Sequence, residues 1–248
     1  MINFITIIIL KFFDFFHQKK IINFIKKKNI NHIVNFVDIG AHKGESINLF
    51  LNNFKIDNIY AFEPSPINYK FLNIYIKNII KKYNKTNFLV NNYAVGEEEK
   101  NVSFKHFNES SSSTTKDINL SSKYFNKKKR FLKSLNQEKF YKVYNVAQKR
   151  LDNIFNLNNI EKIDFIKIDT EGNELNVIKS LGSYIDKVKF IFFEHHYDDM
   201  IIKGYTFKDI HSYLSNNNFI QIYKIKMPFR KTFEYIYSKK EHKNDYIN

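Results

Sequence analysis

The chain has 248 residues, which is long enough for one α/β domain with an extension and for a full hydrophobic core. Its hydrophobic content of 43% and aromatic content of 17% exclude an intrinsically disordered protein. The absence of cysteine excludes disulfides and thiolate metal sites, and it agrees with the cytoplasmic location that we expect.

The formal charge of +15 at first suggests a nucleic-acid or anionic membrane partner. Arginine, however, occurs only at Arg130, Arg150 and Arg230, whereas base readout and bidentate phosphate recognition favour arginine. The dominant residue types, Lys, Asn, Ile, Phe and Tyr, are those of AT-rich codons. We therefore interpret the excess charge as lysine on solvated faces and do not expect a nucleic-acid partner.

Residues 1–30 read as a helical extension. Lys11 and Asp14 interrupt the apolar run well before the ~20 residues that a membrane-spanning helix needs. The charges follow the apolar run and no small-residue cleavage site appears, which argues against a signal peptide. We favour a helix that caps the domain over an interfacial helix with Lys19 and Lys20 near lipid headgroups, and peripheral membrane contact stays open.

Residues 36–39 form a short apolar run that predicts a buried parallel strand, and residues 45–53 show helical spacing. The turn between them carries two of the chain's six glycines. A strand, a glycine turn and a helix N-terminus form a place where backbone N–H groups can face a ligand. The pattern is not G-x-G-x-x-G, which argues against a dinucleotide, and an ordinary βαβ turn is the alternative. The candidate cofactor-binding residues here are Asp38, Gly40, Ala41, His42 and Gly44.

The second predicted strand covers residues 58–62 and ends at Glu63, 23 residues after Gly40. An acidic residue at this position can accept hydrogen bonds from ribose hydroxyls. Pro64 and Pro66 stiffen the turn and begin a helix that we predict to run to about residue 82. Glu63, Pro64 and Ser65 are therefore candidate residues for a nucleotide-like cofactor.

A third strand is predicted at 86–92, and the alternation of strands and helices indicates a doubly wound parallel sheet. The carboxyl ends of its strands then lie side by side, where such sheets bind ligands. Ala94 and Val95 follow the third strand and are candidates to line an apolar slot for an adenine ring. Small residues at a strand end, with no such role, are the alternative.

Residues 97–150 do not continue this alternation of strands and helices. Two alternating stretches, 101–107 and 139–146, predict strands, and between them lie the serine-rich run 110–115 and the basic run 127–130. We expect a mobile insertion at about 108–138. It is either a plain loop or a lid and acceptor-binding element over the strand tips.

The fourth strand is predicted at 163–169 and the fifth at 187–194, each ending in titratable groups. A helix follows at 206–216, and two alternating strands at 219–225 and 232–237 predict an antiparallel closing hairpin at one sheet edge. The main domain is thus expected at 31–240, with a short tail at 241–248.

Four blocks, at residues 37–44, 62–66, 94–96 and 166–174, occur here in an order that resembles the FkbM family of S-adenosylmethionine-dependent methyltransferases. The resemblance covers about residues 34–225. It implies a class I (Rossmann-like) fold with seven strands, the last antiparallel, and S-adenosyl-L-methionine as cofactor. It also implies O-methylation, often of sugar or polyketide hydroxyls.

Methyl transfer to a hydroxyl requires positioning of the acceptor and removal of its proton. The candidate catalytic residues are Asp169, Glu171, His195 and His196; the two histidines point to opposite sides if the fifth strand extends that far. Asp169, Glu171 and Glu194 could alternatively hold a divalent cation, but without tight metal-ligand spacing we expect none.

The resulting hypothesis is O-methylation of a small-molecule or glycan acceptor, such as a sugar, glycolipid or secondary metabolite. Two alternatives stay open. One is a basic nucleic-acid or membrane-surface binding protein that keeps the fold without catalysis. The other is an RNA or protein methyltransferase, although the absence of an Asn/Asp-Pro-Pro-Tyr motif argues against N-methylation of bases.

Overall fold

A computed structural model describes residues 2–108, 112–127 and 141–240, with side chains from Phe13 onward. Within these residues, seven strands form the central sheet: β1 (His32–Ile39), β2 (Lys55–Phe62), β3 (Asn87–Asn91), β8 (Ile163–Ile168), β9 (Val188–His196), β11 (Phe219–Lys226) and β12 (Thr232–Lys239). Their order across the sheet is β11–β12–β9–β8–β1–β2–β3.

Strands β1, β2, β3, β8 and β9 are parallel, and β12 pairs antiparallel with both β9 and β11. This arrangement confirms the predicted seven-stranded sheet with an antiparallel C-terminal hairpin. Because the parallel strands share one direction, their carboxyl ends meet at a single edge.

Helices cover both faces of this sheet. Helices α1 (Ile2–Lys27), α2 (Glu45–Leu51) and α3 (Pro66–Ile79) contribute to one apolar cluster. Helices α4 (Leu151–Leu157), α5 (Glu174–Lys179) and α6 (Phe207–Asn216) contribute to the other. Neighbouring residues of β1 separate accordingly, since Phe36 packs in the first cluster and Val37 in the second.

Two small sheets lie beside the main one. The first joins β4 (Ala94–Val95), β7 (Tyr141–Lys149) and β5 (Lys100–Phe107), with β7 in the middle. The second pairs β6 (Asp117–Ile118) with β10 (Ile201–Ile202). The β5–β7 pair corresponds to the two alternating stretches predicted between residues 97 and 150.

The segment expected to be a mobile insertion, 108–138, is described only at residue 108 and at 112–127. In the described part, Thr114 is fully buried and its hydroxyl donates a hydrogen bond to the Glu171 carbonyl oxygen at 2.7 Å. Phe125 packs against Phe107, Met200 and Ile201. Residues 109–111 and 128–138 lie outside the described residues, so the mobility of the insertion stays a prediction.

Helix α1 packs on the sheet through its second half. Ile21, Ile22 and Ile25 are buried in the first cluster, and the Phe24 ring stacks on Tyr223 with ring centroids 4.2 Å apart. Arg230 of the β11–β12 turn bonds to Asp14 at 3.2 Å. In the part of the chain that the structure describes, no helix has the length and apolar character needed to cross a bilayer.

If α1 is an integral cap, Ile25→Ala should lower the free energy of unfolding by about 2–5 kcal/mol, because it leaves a cavity in a packed core. Phe15→Ala, on the same helix but with 60% of the side chain exposed, is the matched control and should change it by about 0.5 kcal/mol or less. Denaturant unfolding of both variants measures this. Equal, small effects would show that α1 is not part of the cooperative fold.

Candidate active site

The turn after β1 joins the ends of three strands. The backbone amides of Gly40 and Ala41 both donate hydrogen bonds to the Phe62 carbonyl oxygen, at 2.9 and 3.1 Å. The Asp169 amide donates a hydrogen bond to the Ile39 carbonyl oxygen at 2.9 Å. Gly40 has φ +81°, and a Cβ there would lie 1.9 Å from the Asp169 carbonyl oxygen. Gly40 is therefore required for the close approach of β1 and β8, in addition to any role towards a cofactor.

The second glycine of the turn serves the start of α2. Gly44 has φ +98°, and a Cβ would lie 2.5 Å from the Tyr75 ring. Gly44 does not line the cavity described below, whereas its neighbours Ala41 and His42 do. Its contribution to the site is the sharp turn that places these neighbours.

Asp38 lies fully buried below the turn. Its carboxylate accepts a hydrogen bond from the Ser46 hydroxyl and lies 3.5 Å from the Lys167 ammonium. Lys167 also contacts the Asp169 carboxylate at 3.3 Å. Burial opposes the charge of Lys167, but Asp169 and Asp38 raise the pKa of its ammonium above the ordinary value. Asp38 thus orients the strand tips and does not line the cavity.

Glu63, at the end of β2, is buried and lines the cavity. One carboxylate oxygen accepts a hydrogen bond from the His42 amide at 2.8 Å, and the other from the Ser65 amide at 2.9 Å. Burial raises the pKa of Glu63 to about 7, against the opposing effect of these two amides. Each oxygen can accept a further hydrogen bond, so the carboxylate can also receive ligand hydroxyls.

The remaining cofactor candidates flank Glu63. Pro64 lines the cavity, while buried Ser65 begins α3 by accepting a hydrogen bond from the Asn68 amide at 3.2 Å. Ala94 and Val95 are buried and line the cavity. The Val95 carbonyl oxygen accepts a hydrogen bond from the Asn173 side chain at 2.9 Å. Of the ten cofactor candidates, seven line the cavity, while Asp38, Gly44 and Ser65 support it.

The two predicted catalytic carboxylates follow β8. Asp169 and Glu171 both line the cavity; Asp169 has 34% of its side chain exposed. The Glu171 backbone is in the left-handed region, with φ 52°. Such a conformation is rare for a non-glycine residue, and it turns the Glu171 side chain towards the end of β9.

The adjacent histidines lie on opposite faces, because β9 continues through His196. His195 packs among Tyr197, Tyr205 and Phe207 on the side away from the cavity, and burial lowers its pKa to about 4. His196 lines the cavity. We therefore retain His196 as a site residue and place His195 in the aromatic layer behind it.

His196 is surrounded by carboxylates. Its Nε2 atom lies 3.1 Å from Glu171 Oε2 and 3.0 Å from Glu194 Oε1, and its Nδ1 atom lies 3.6 Å from Asp198 Oδ2. Burial by itself would lower the pKa of the His196 ring. The surrounding carboxylates, among which Glu171 has the largest effect, outweigh burial and hold this pKa well above its ordinary value. The three carboxylates therefore favour positive charge at this point of the cavity wall.

The residues that line the site share one cavity of about 650 Å³. Its first end holds Glu63, Ala94 and Val95. Its second end is lined by α1, β9 and the closing hairpin, through Asp14, His17, Gln18, Phe192, Glu194, His196, Met227, Arg230, Thr232 and Glu234. His17 bonds to Glu234 and thereby connects α1 to β12.

Sequence reasoning named His196 and Glu194 but missed Lys167 and the residues that α1 and the closing hairpin bring to this second end. The sequence could have indicated Lys167, since it is a charged residue inside the apolar run 163–168. No sequence pattern indicates the site residues of α1 and the hairpin, because they come together only when β12 inserts between β9 and β11.

A family model described as the methyltransferase FkbM domain matches residues 38–220. The chain belongs to the FkbM methyltransferase family. The match includes all of the strand tips described above, and α1 and β12 lie outside it.

Among solved structures, methyltransferase FkbM from Methylobacillus flagellatus KT is similar to this FkbM family chain, with a TM-score of 0.53 and 16% identity. The alignment covers 82% of this chain and 43% of that one, so this chain spans less than half of its length. Magnesium protoporphyrin IX methyltransferase from Synechocystis PCC 6803, solved with bound SAM, aligns at TM-score 0.49 and 10% identity over 90% of this chain and 79% of that one. No curated protein matches the chain. The similarity to the M. flagellatus protein shows that the fold is that of class I methyltransferases.

Gly40→Ala should destabilise the protein, because the added Cβ would overlap the Asp169 carbonyl oxygen. Gly204→Ala is a matched control: Gly204 has a similar φ of +75° but nothing within 4 Å of its Cβ position. The control should show only the backbone strain, about 1–2 kcal/mol, and Gly40→Ala clearly more. Unfolding in urea measures both, and equal losses would mean that β1 and β8 do not approach as described.

Proposed function

We propose that this FkbM family member is an S-adenosylmethionine-dependent O-methyltransferase that acts on a hydroxyl of a neutral, polyhydroxylated acceptor. A sugar, a glycolipid or a glycosylated secondary metabolite fits this description. The main supporting observation is the single cavity that connects the Glu63 end to the acidic end at Glu194 and His196, past Asp169.

The first end fits the cofactor in shape and chemistry. Glu63 is a buried acceptor in the cavity with capacity for ribose hydroxyls, and Ala41, Ala94 and Val95 are small residues that leave room for a flat ring. Pro64 and the turn from Gly40 to His42 complete this wall. These residues would hold S-adenosyl-L-methionine with its sulfonium towards Asp169.

Bound S-adenosylmethionine supplies a methyl group on a positively charged sulfur, so that the C–S bond breaks as the bond to the acceptor oxygen forms and S-adenosylhomocysteine leaves. The acceptor hydroxyl must lose its proton as it attacks. We assign this proton to Asp169, because its carboxylate is partly exposed to the cavity between the two ends. The Lys167 ammonium at 3.3 Å fixes the orientation of Asp169.

The charge of the cavity indicates the acceptor class. Among the described residues, seven carboxylates line it, against one lysine and one arginine: Asp14, Glu45, Glu63, Asp169, Glu171, Glu194 and Glu234, with Lys167 and Arg230. Carboxylates accept hydrogen bonds from hydroxyl groups but repel phosphates. This lining favours a neutral polyol over a nucleic acid, in spite of the chain's formal charge of +15.

If ionised Glu63 receives the ribose hydroxyls, the affinity for S-adenosylhomocysteine should rise with pH through about 7 and then level off. The rise should reach about tenfold between pH 6 and 8, which is the change in the ionised fraction of a group with that pKa. Calorimetric titrations across this range measure it. Glu63→Gln should bind more weakly and lose this dependence; an unchanged pH profile in Glu63→Gln would contradict the assignment.

Transfer of isotope-labelled methyl groups should appear in neutral glycan or glycolipid pools and not in RNA. With the acceptor identified, Asp169→Asn should lower kcat by at least ~100-fold while changing KM for the acceptor much less. Asp57→Asn, on β2 but paired with His32 on the surface, is the control and should keep wild-type kcat. Labelling of RNA would refute the proposed acceptor class, and full turnover in Asp169→Asn would refute the proposed proton acceptor.

A further inference from the structure

Glu171, Glu194 and His196 bring three potential metal ligands to one point of the cavity wall. One atom from each, namely a carboxylate oxygen from either glutamate and a ring nitrogen from the histidine, lies within 4.8 Å of the other two. Glu194 and His196 are two residues apart on β9 and so share a face, while the left-handed backbone of Glu171 brings the third group from the loop after β8.

The histidine is oriented as a metal ligand would be. Its Nδ1 atom contacts the Thr232 hydroxyl at 3.1 Å and faces Asp198 at 3.6 Å, which leaves Nε2 to face the two glutamates. Metal-binding histidines commonly have their second ring nitrogen held by such a partner. Thr232 and Asp198 therefore fix the direction of Nε2.

The contacts of Nε2 are close but poorly directed for hydrogen bonds. The atom is inaccessible to solvent and lies 3.0–3.1 Å from the two carboxylate oxygens, yet it makes no hydrogen bond with any residue that the structure describes. A proton on His196 Nε2 would therefore make only weak hydrogen bonds to the carboxylates of Glu171 and Glu194.

A metal ion accounts for the same distances. Two ligands at right angles around an ion, each at about 2.1–2.2 Å from it, are separated by about 3.0–3.1 Å. Two carboxylates and one imidazole form a mixed oxygen and nitrogen set, which suits divalent ions such as Mn²⁺ or Zn²⁺ better than Ca²⁺. We propose that Glu171, Glu194 and His196 form a binding site for one divalent transition-metal ion.

The position of this site suggests its use, an interpretation that rests on the proposed function. All three ligands line the cavity, with Glu194 and His196 at its second end and Glu171 two residues after Asp169, so open coordination positions would face the acceptor. A hydroxyl bound to a divalent cation loses its proton more readily. The ion would thus hold the acceptor hydroxyl and promote transfer of its proton to Asp169.

Metal binding can be measured without cofactor or acceptor. The full chain, freed of metal with a chelator, is titrated at pH 7.5 with MnCl₂ by calorimetry and by the EPR signal of free Mn²⁺, and in parallel with ZnCl₂ by calorimetry. We expect one ion per chain for at least one of the two metals. Glu194→Gln and His196→Gln should each weaken this binding at least ~10-fold.

Glu63→Gln is the matched control, since it changes a buried carboxylate of the same cavity at the other end. It should keep the metal affinity and lose affinity for S-adenosylhomocysteine, whereas Glu194→Gln should do the reverse. Circular dichroism establishes that each variant is folded, and Glu171→Gln replaces any variant that is not. Failure of both metals to bind, or equal metal affinity in wild type and folded ligand variants, would refute the site.

The two proposals fail separately. Binding of S-adenosylhomocysteine without binding of either metal would overturn only the metal site. Metal binding that depends on Glu194 and His196, in a protein that does not bind S-adenosylhomocysteine, would support the metal site and overturn the proposed cofactor.

Discussion

The buried contacts of Lys167 are the constraint on which the site depends. An ammonium group inside a sheet loses its hydration, and this loss is offset only when carboxylates are close. Asp38 of β1 and Asp169 after β8 supply them, at 3.5 and 3.3 Å, so the charges hold the tips of two neighbouring strands together. Gly40 permits the same approach through the backbone. The direction of Asp169, and hence the boundary between the two ends of the cavity, follows from these contacts.

Side chains alternate along β9, so that one set faces the cavity and the other packs in the core. Phe192, Glu194 and His196 face the cavity, whereas Phe193 and His195 pack into the aromatic layer with Tyr235 and Tyr205. A shift of register by one residue would exchange these sets and bury the carboxylate among aromatic rings. Pairing with β12, where Glu234 lies opposite Glu194, fixes this register. The closing hairpin is thus a determinant of the site as well as of the fold.

Whether a feature could be predicted from the sequence depends on how far apart along the chain the interacting residues are. The parallel strands, the turn at Gly40 and the position of Glu63 were predictable because each arises from local patterns, namely apolar runs, positive-φ turns and spacing along one βαβ unit. The choice between His195 and His196 required knowledge of where β9 ends. The meeting of Asp14 with Arg230, and of His17 with Glu234, was not predictable, since these residues are more than 200 positions apart and no periodic pattern relates them. Lys167 is intermediate, because its charge inside an apolar strand is visible but its partners are not.

The distribution of charge explains how a strongly basic chain can have an acidic cavity. Most of the lysines that the structure describes are exposed, and their charges are screened within about 10 Å by salt. Inside the cavity the dielectric is lower and the few charges are closer together, so the local carboxylates dominate the field that a ligand experiences. Helix α1 strengthens this effect, because it brings Asp14 to the second end while its own lysines Lys19 and Lys20 stay exposed. The net charge of the chain therefore reflects the lysines on its surface. The selection of the acceptor depends instead on the charged groups that α1, β9 and the hairpin enclose.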